Sequence, residues 1–155
     1  AYGPRVRTTG VYGAVFGVFF KQKLQKKPLT VIGNGLQRRD FIFVTDVVNG
    51  FYNAALSKKT GEIYNLGSDN PQSIANLARL IGGKIISIPN RPGEPKVTWA
   101  NTTKIKKQLK WKPVIKFEDG VKIMLNNIED WKLAPLWSPA TIKKATKDWF
   151  KYLAK

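Results

Sequence analysis

The chain has 155 residues, 43% of them hydrophobic, and a formal net charge of +17, with neither cysteine nor histidine. That length fits about one domain, and that apolar content excludes wholesale disorder. The missing cysteine and histidine exclude disulfide frameworks, thiolate metal sites, cysteine nucleophiles and the commonest general base.

In chain order, residues 12–26 read as a helix with a wide apolar face of Val15, Phe16, Phe19, Phe20 and Leu24. Its basic C-terminal end suits the helix dipole, and Pro28 stops it. Residues 29–32 form a short apolar strand. Gly33-Asn34-Gly35 is a turn, since glycine and asparagine accept positive φ. Residues 40–44 read as a strand. Thr45 then caps a helix reaching about Leu56, with Asp46 in its first turn for dipole and capping work rather than catalysis. Residues 62–66 read as a strand ending at Gly67. Ser73 is an N-cap for a helix over 74–81, which Gly82-Gly83 ends. Residues 84–88 form another strand, closed by Pro89. Residues 91–95, RPGEP, form a loop with two prolines. Asn101 or Thr102 caps a short helix to Leu109. Residues 117–132 read as helical, with Val121, Met124, Leu125 and Ile128 on one stripe. Ser138-Pro139 supplies an N-cap and a proline at the first helical position, and Ile142, Ala145, Trp149 and Leu153 follow at helical spacing. Strands and helices alternate, so the class is α/β.

No apolar run approaches the roughly 20 residues that span a bilayer. Residues 11–20 are apolar but run into Lys21 and Lys23, the reverse of a signal peptide's order. The expected location is cytoplasmic. The charge invites a nucleic-acid reading. Against it, 21 of the 27 basic residues are lysines and only six are arginines. Lysine faces such as Lys104, Lys106, Lys107, Lys110 and Lys112 are ordinary solvated surface. A basic nucleic-acid-binding module stays as the weaker alternative, and a small polyanionic ligand fits the charge equally well.

Four segments stand out together: AYGPR at residues 1–5, GNGLQRRDFIFVTDVV at 33–48, YNLGS at 64–68 and RPGEP at 91–95. In this order and spacing they resemble the C-terminal half of the nucleotide-sugar epimerases and dehydratases, the extended short-chain dehydrogenases. The Arg-Asp-Phe wording looks more like the UDP-glucose 4-epimerase branch. The resemblance implies the substrate-binding part of a Rossmann-type fold, with a late strand and helix of the nucleotide-binding sheet but without the N-terminal cofactor-binding half. It places the substrate-binding part at residues 1–132 and a helical extension at 133–155. It further implies an enzyme that binds a nucleoside-diphosphate sugar, uses NAD held by the other half, and transiently oxidises sugar carbon 4. A 4,6-dehydratase or a decarboxylase of the same family is the alternative. A homodimer of the full enzyme is the implied assembly.

The site residues follow from the residues and from the resemblance. Arginine presents a planar fork of donors that fits phosphate oxygens. By itself, Arg39 next to Asp40 reads as an ordinary ion pair or a solvated residue. The resemblance makes Arg39 one jaw of a diphosphate clamp and Arg91 the other, with Arg38 turned to solvent. Glu94 then orients Arg91 or meets a ribose hydroxyl. Val15 and Phe16 become wall residues of the nucleoside pocket, although an amphipathic core helix explains them too. The resemblance assigns no cofactor-binding residue firmly and offers only Tyr2 and Pro4 as contacts, while Tyr2 by itself reads rather as a packed aromatic. Trp99, Trp111 and Trp131 read as core residues, and Asn65 and Ser68 as structural. The chain has no glycine-rich phosphate loop opening a helix and no Tyr-x-x-x-Lys. That pair supplies the family's base and holds the nicotinamide ribose. No catalytic residue and no metal ligand is therefore expected here, and the chain alone is expected to be inactive.

Overall fold

The computed structural model describes residues 1–6 and 14–153. Helix α1 spans Val15–Leu24; residues 12 and 13 of the predicted helix lie outside the described residues. Strand β1, Leu29–Ile32, follows. It pairs in parallel with β4, Ile85–Ile88, in the register Leu29 to Ile85 and Ile32 to Ile88. A second, smaller sheet joins β2, Arg38–Arg39, to β3, Gln72–Ser73, antiparallel. Between these strands lie α2, Val44–Leu56, and α3, Ile74–Ile81. The chain ends with α4, Thr103–Leu109, α5, Phe117–Asn126, a 3₁₀ turn at Ile128–Trp131, α6, Pro139–Ala145, and α7, Lys147–Leu153. The mixed α/β class is as expected. No helix among the described residues is long and apolar enough to cross a membrane.

Local signals place most of these boundaries. Ser73 Oγ accepts the Asn76 amide at 3.0 Å, as its N-cap position predicts. Gly82 ends α3 at φ 76°, a left-handed conformation that glycine adopts without strain. Ser138 and Thr141 form a reciprocal capping box, with Pro139 at the first helical position.

The main core joins α1, β1, α3 and α5. Phe19, Phe20, Leu29, Leu77, Val121, Met124 and Trp131 are all but inaccessible there. Phe20 meets the Trp131 ring edge-to-face at 4.8 Å. Gln22 is buried within this core and fully used. Its amide oxygen accepts Thr30 N at 3.1 Å, and its NH₂ donates to Thr30 Oγ1 at 2.9 Å and to the Trp137 carbonyl at 2.7 Å. One amide thus ties α1 to β1 and to the segment leading into α6. A smaller cluster of Ile42, Ile105, Leu109 and Trp111 sits beneath α2.

Several expectations are corrected. Residues 40–44 form no strand: the ladder lies at Arg38–Arg39, and only Phe43 makes a bridge, to Tyr2. Thr45 does not cap α2; the helix begins at Val44 without a side-chain cap. Residues 62–66 are not a strand. They have no ladder partner among the described residues, and Ile63 is 83% exposed. The helix predicted over 117–132 stops at Asn126. Asn127 Nδ2 donates to the Ile123 carbonyl at 2.8 Å, drawing off an acceptor of the helix's last turn. The final helix is split at Thr146, whose hydroxyl bonds back to the Ile142 carbonyl. At α4, Thr102 holds the N-cap position, but Asn101 Oδ1 accepts the Thr103 amide while the Thr102 hydroxyl turns to Asp69.

Trp111 and Trp131 are core residues as expected, whereas Trp99 is 67% exposed and packs in no core. Asp46 is in the first turn of α2 but does more than face the dipole. It is buried, and its two carboxylate oxygens accept the amides of Val114 and Ile115 at 3.1 Å each.

Candidate functional site

Strand β2 organises the site. Its two arginines point to opposite sides, as successive strand residues must. Arg38 is exposed, and its Nε donates to the Pro71 carbonyl at 2.9 Å. Arg39 turns into a cleft of about 350 Å³. The backbone of Arg38 also holds the chain that follows RPGEP: its amide donates to the Lys96 carbonyl at 2.8 Å and its carbonyl accepts Thr98 N at 3.1 Å. Loop 91–95 therefore runs from the end of β4 to the edge of β2. That path brings Arg91 and Glu94 to the same cleft as Arg39.

Arg39 is held in place before any ligand is considered. Nη2 pairs with Glu94 Oε1 at 2.7 Å, and Nη1 donates to the carbonyls of Arg38 at 2.9 Å and Pro95 at 2.8 Å. The side chains of the pair are 23% and 18% exposed. Three contacts fix the guanidinium plane, so little conformational freedom is lost when it meets an anion. Glu94 thus orients Arg39, a partner that sequence reasoning did not assign to it. Arg91, half-buried, stacks its guanidinium 5.6 Å from the centroid of the Trp149 ring.

The floor of the cleft is apolar. Val15 is half-buried and lines it, and so does Phe16, whose buried ring stacks on Tyr2 at 4.8 Å and 6°. Tyr2 is a packed aromatic that borders the cleft from behind, its hydroxyl donating to the Phe117 carbonyl. Burial pushes its pKa well above the usual phenol range, and the Asp46, Glu118 and Asp119 carboxylates push it the same way. It is no base at neutral pH. Pro4 lies in a turn before Arg5 and does not line the cleft.

Asp40, beside Arg39, is fully occupied. Its carboxylate accepts the Ser68 amide and hydroxyl and the Ala100 amide. Gly67 permits this approach, for a Cβ there would fall 2.3 Å from Asp40 Oδ2. Sequence reasoning treated Asp40 only as a neighbour of Arg39. The structure makes it the tie between β2 and residues 67–100. Gln37 and Thr98 also line the cleft and were not foreseen. No group of three or more potential ligands that could hold a metal ion exists among the described residues.

Arg39 and Arg91 thus line one cleft over an apolar floor, and guanidinium groups are suited in kind to phosphate or carboxylate oxygens. The model of the GDP-mannose 4,6 dehydratase family matches residues 1–124. A UDP-glucuronate 4-epimerase of Thermodesulfobacterium geofontis is 39% identical over 115 residues, covering 70% of this chain and 35% of its own length. A UDP-glucuronic acid decarboxylase of Arabidopsis thaliana is 33% identical over 132 residues, covering 81% of this chain and 29% of its own length. The crystal structure of UDP-glucuronic acid 4-epimerase from Bacillus cereus, in complex with UDP-glucuronic acid and NAD, superposes with a TM-score of 0.74 at 32% identity. It covers 83% of this chain and 42% of that one, so this chain spans less than half of each relative.

Proposed function

The chain belongs to the GDP-mannose 4,6-dehydratase family of NAD-dependent nucleotide-sugar epimerases and dehydratases, matching the C-terminal portion of their Rossmann-type extended short-chain dehydrogenase fold, and from that premise we propose that it binds the nucleoside diphosphate of a nucleotide sugar. The observation that carries this is the meeting of Arg39 and Arg91 on one cleft with an apolar floor. Two guanidinium forks match the two charges of a diphosphate ester. Val15 and Phe16 offer the nucleoside an apolar wall. In this reading residues 1–132 are the binding part and 133–155 an extension, whose α6 and α7 lie against the loop at residues 91–95.

NAD, the family's cofactor, would be held by the N-terminal half of such an enzyme. The glycine turn after β1 leads through Leu36 and Gln37 into β2, not into a helix whose N-terminus could take a pyrophosphate. This chain's part is therefore binding and orientation. By fixing the diphosphate, the clamp leaves the sugar directed away from it, which is where binding energy serves the chemistry of a complete enzyme. The complete enzyme would be an epimerase of the UDP-glucose 4-epimerase type, working by transient oxidation at sugar carbon 4, and this chain alone would be inactive. A decarboxylase or 4,6-dehydratase would use the same clamp.

Titration calorimetry of the chain with UDP, UDP-glucose and NAD tests the proposal. The UDP compounds should bind and NAD should not. Arg39→Ala should weaken UDP binding by at least about tenfold, the scale of one charge-assisted pair. Equal affinity of the variant and the wild-type chain for UDP would sink the clamp.

A further inference from the structure

Loop 91–95 is gripped from two sides. From the cleft, Arg39 holds Glu94 and the Pro95 carbonyl. From outside, α7 holds the other half of the loop. Trp149 Nε1 donates to the Pro92 carbonyl at 2.6 Å. The Trp149 ring lies 5.6 Å from the Arg91 guanidinium carbon. Leu153 Cδ1 stands 3.7 Å from where a Cβ on Gly93 would be. Three successive loop residues thus meet one helix.

Arg91 needs such a device. It borders the diphosphate cleft, and it also borders a second cavity of about 550 Å³ between α6, α7 and the end of β4. A long side chain between two openings serves one of them well only if something fixes its root and its plane. The Pro92 bond fixes the root. An aromatic ring meets a guanidinium on its face, while oxygen acceptors meet its edges, so stacking and anion binding are compatible. Helix α7 buries none of its own residues, but it follows directly on α6, which is well anchored. The capping box starts α6, Ile142 is buried beneath it, and Gln22 holds the preceding Trp137 carbonyl.

We propose that Trp149 is a positioning residue for nucleotide-sugar binding: through the Pro92 carbonyl and the Arg91 face it sets the second jaw of the clamp. The inference rests on the clamp described above, and it gives the C-terminal extension a role in ligand binding.

The test uses the 155-residue chain, with folding verified by circular dichroism for every variant. Trp149→Ala should weaken UDP binding about five- to tenfold. Trp149→Phe, which keeps a ring but loses the N–H donor, should fall between it and the wild-type chain. In a double-mutant cycle, Arg91→Ala with Trp149→Ala should bind no more weakly than Arg91→Ala alone, because Trp149 acts through Arg91. Hydrogen exchange gives a ligand-free readout: the Gly93 and Glu94 amides should exchange faster in Trp149→Ala, with α3 unchanged. Additive losses, unchanged exchange at Gly93 and Glu94, or wild-type UDP affinity in Trp149→Ala would each overturn the inference and leave the clamp standing. A wild-type chain that binds no UDP would bring down the clamp, and the inference with it.

Discussion

The two hydrophobic layers of this molecule differ in how far they are closed to solvent. Around Phe20 and Trp131, α1, β1, α3 and α5 surround one another, and large side chains disappear from solvent. Beneath α2 the inner face is covered by Ile42, Ile105, Leu109 and Trp111, but the outer face is not. There Val48, Phe51, Tyr52 and Leu56 face solvent, with Ile63 close in sequence on the unpaired segment that follows. The candidate cleft is built on the closed layer, whose Phe16 and Val15 form its floor. A closed layer can hold arginines to a fixed geometry. An open layer leaves apolar side chains in contact with water, which favours association of this face.

The largest test of this contrast is Trp131→Ala. It removes a fully buried ring against Phe20 and should cost about 3–5 kcal/mol by denaturant titration. A loss under about 1 kcal/mol would mean that the closed layer is not closed. The next effect separates the layers by pH. Tyr2 belongs to the closed layer, and its folded pKa is raised above the unfolded value. Its contribution is therefore intact below about pH 10 and is lost as pH rises beyond it, at about 1.4 kcal/mol per pH unit. Tyr2→Phe should remove that part of the slope in alkaline denaturation curves, and an identical slope in both proteins would show that Tyr2 is not sealed. The smallest effect on stability belongs to the open layer. Phe51→Ser should change stability by no more than about 0.5 kcal/mol, while self-association seen by sedimentation should fall. A large destabilisation would mean that the outer face of α2 is already packed.

What the sequence showed and what it hid divide along the range of the interactions. The glycine turn at Gly33, the Ser73 cap, the Gly82 stop and the Ser138-Pro139 start are settled within a few residues, and all four formed as expected. The strand expected at residues 62–66 did not form, because a strand is a relation between two segments and propensity describes one. Trp99 was expected in the core and stands in solvent, since no local pattern says what lies across from a tryptophan. Asp46 carried a visible helix-start signal, yet its acceptor work is for amides 68 and 69 residues away. At the cleft, Arg39 and Arg91 were legible through the family resemblance of their motifs, and the structure brings both to one cleft. The Arg39–Glu94 pair and the Trp149 contacts were not, since they join positions 55 and 57 residues apart.

The parallel pairing of β1 with β4 also has a consequence for how the chain reaches this form. Parallel neighbours cannot be joined by a hairpin, and here everything from Gly33 to Lys84 must be looped out before Leu29 meets Ile85. The entropy of closing that loop comes due before the pairing can repay it. Helix α3 lies in the looped-out segment and packs on both α1 and β1. Docking α3 first shortens the remaining search to the few residues between Gly82 and Ile85. The order of assembly expected from this topology is α1 with β1, then α3, and β4 last. Stopped-flow refolding should show mutations in α3, such as Leu77→Ala, slowing folding, whereas changes at the exposed Ile85 chiefly speed unfolding.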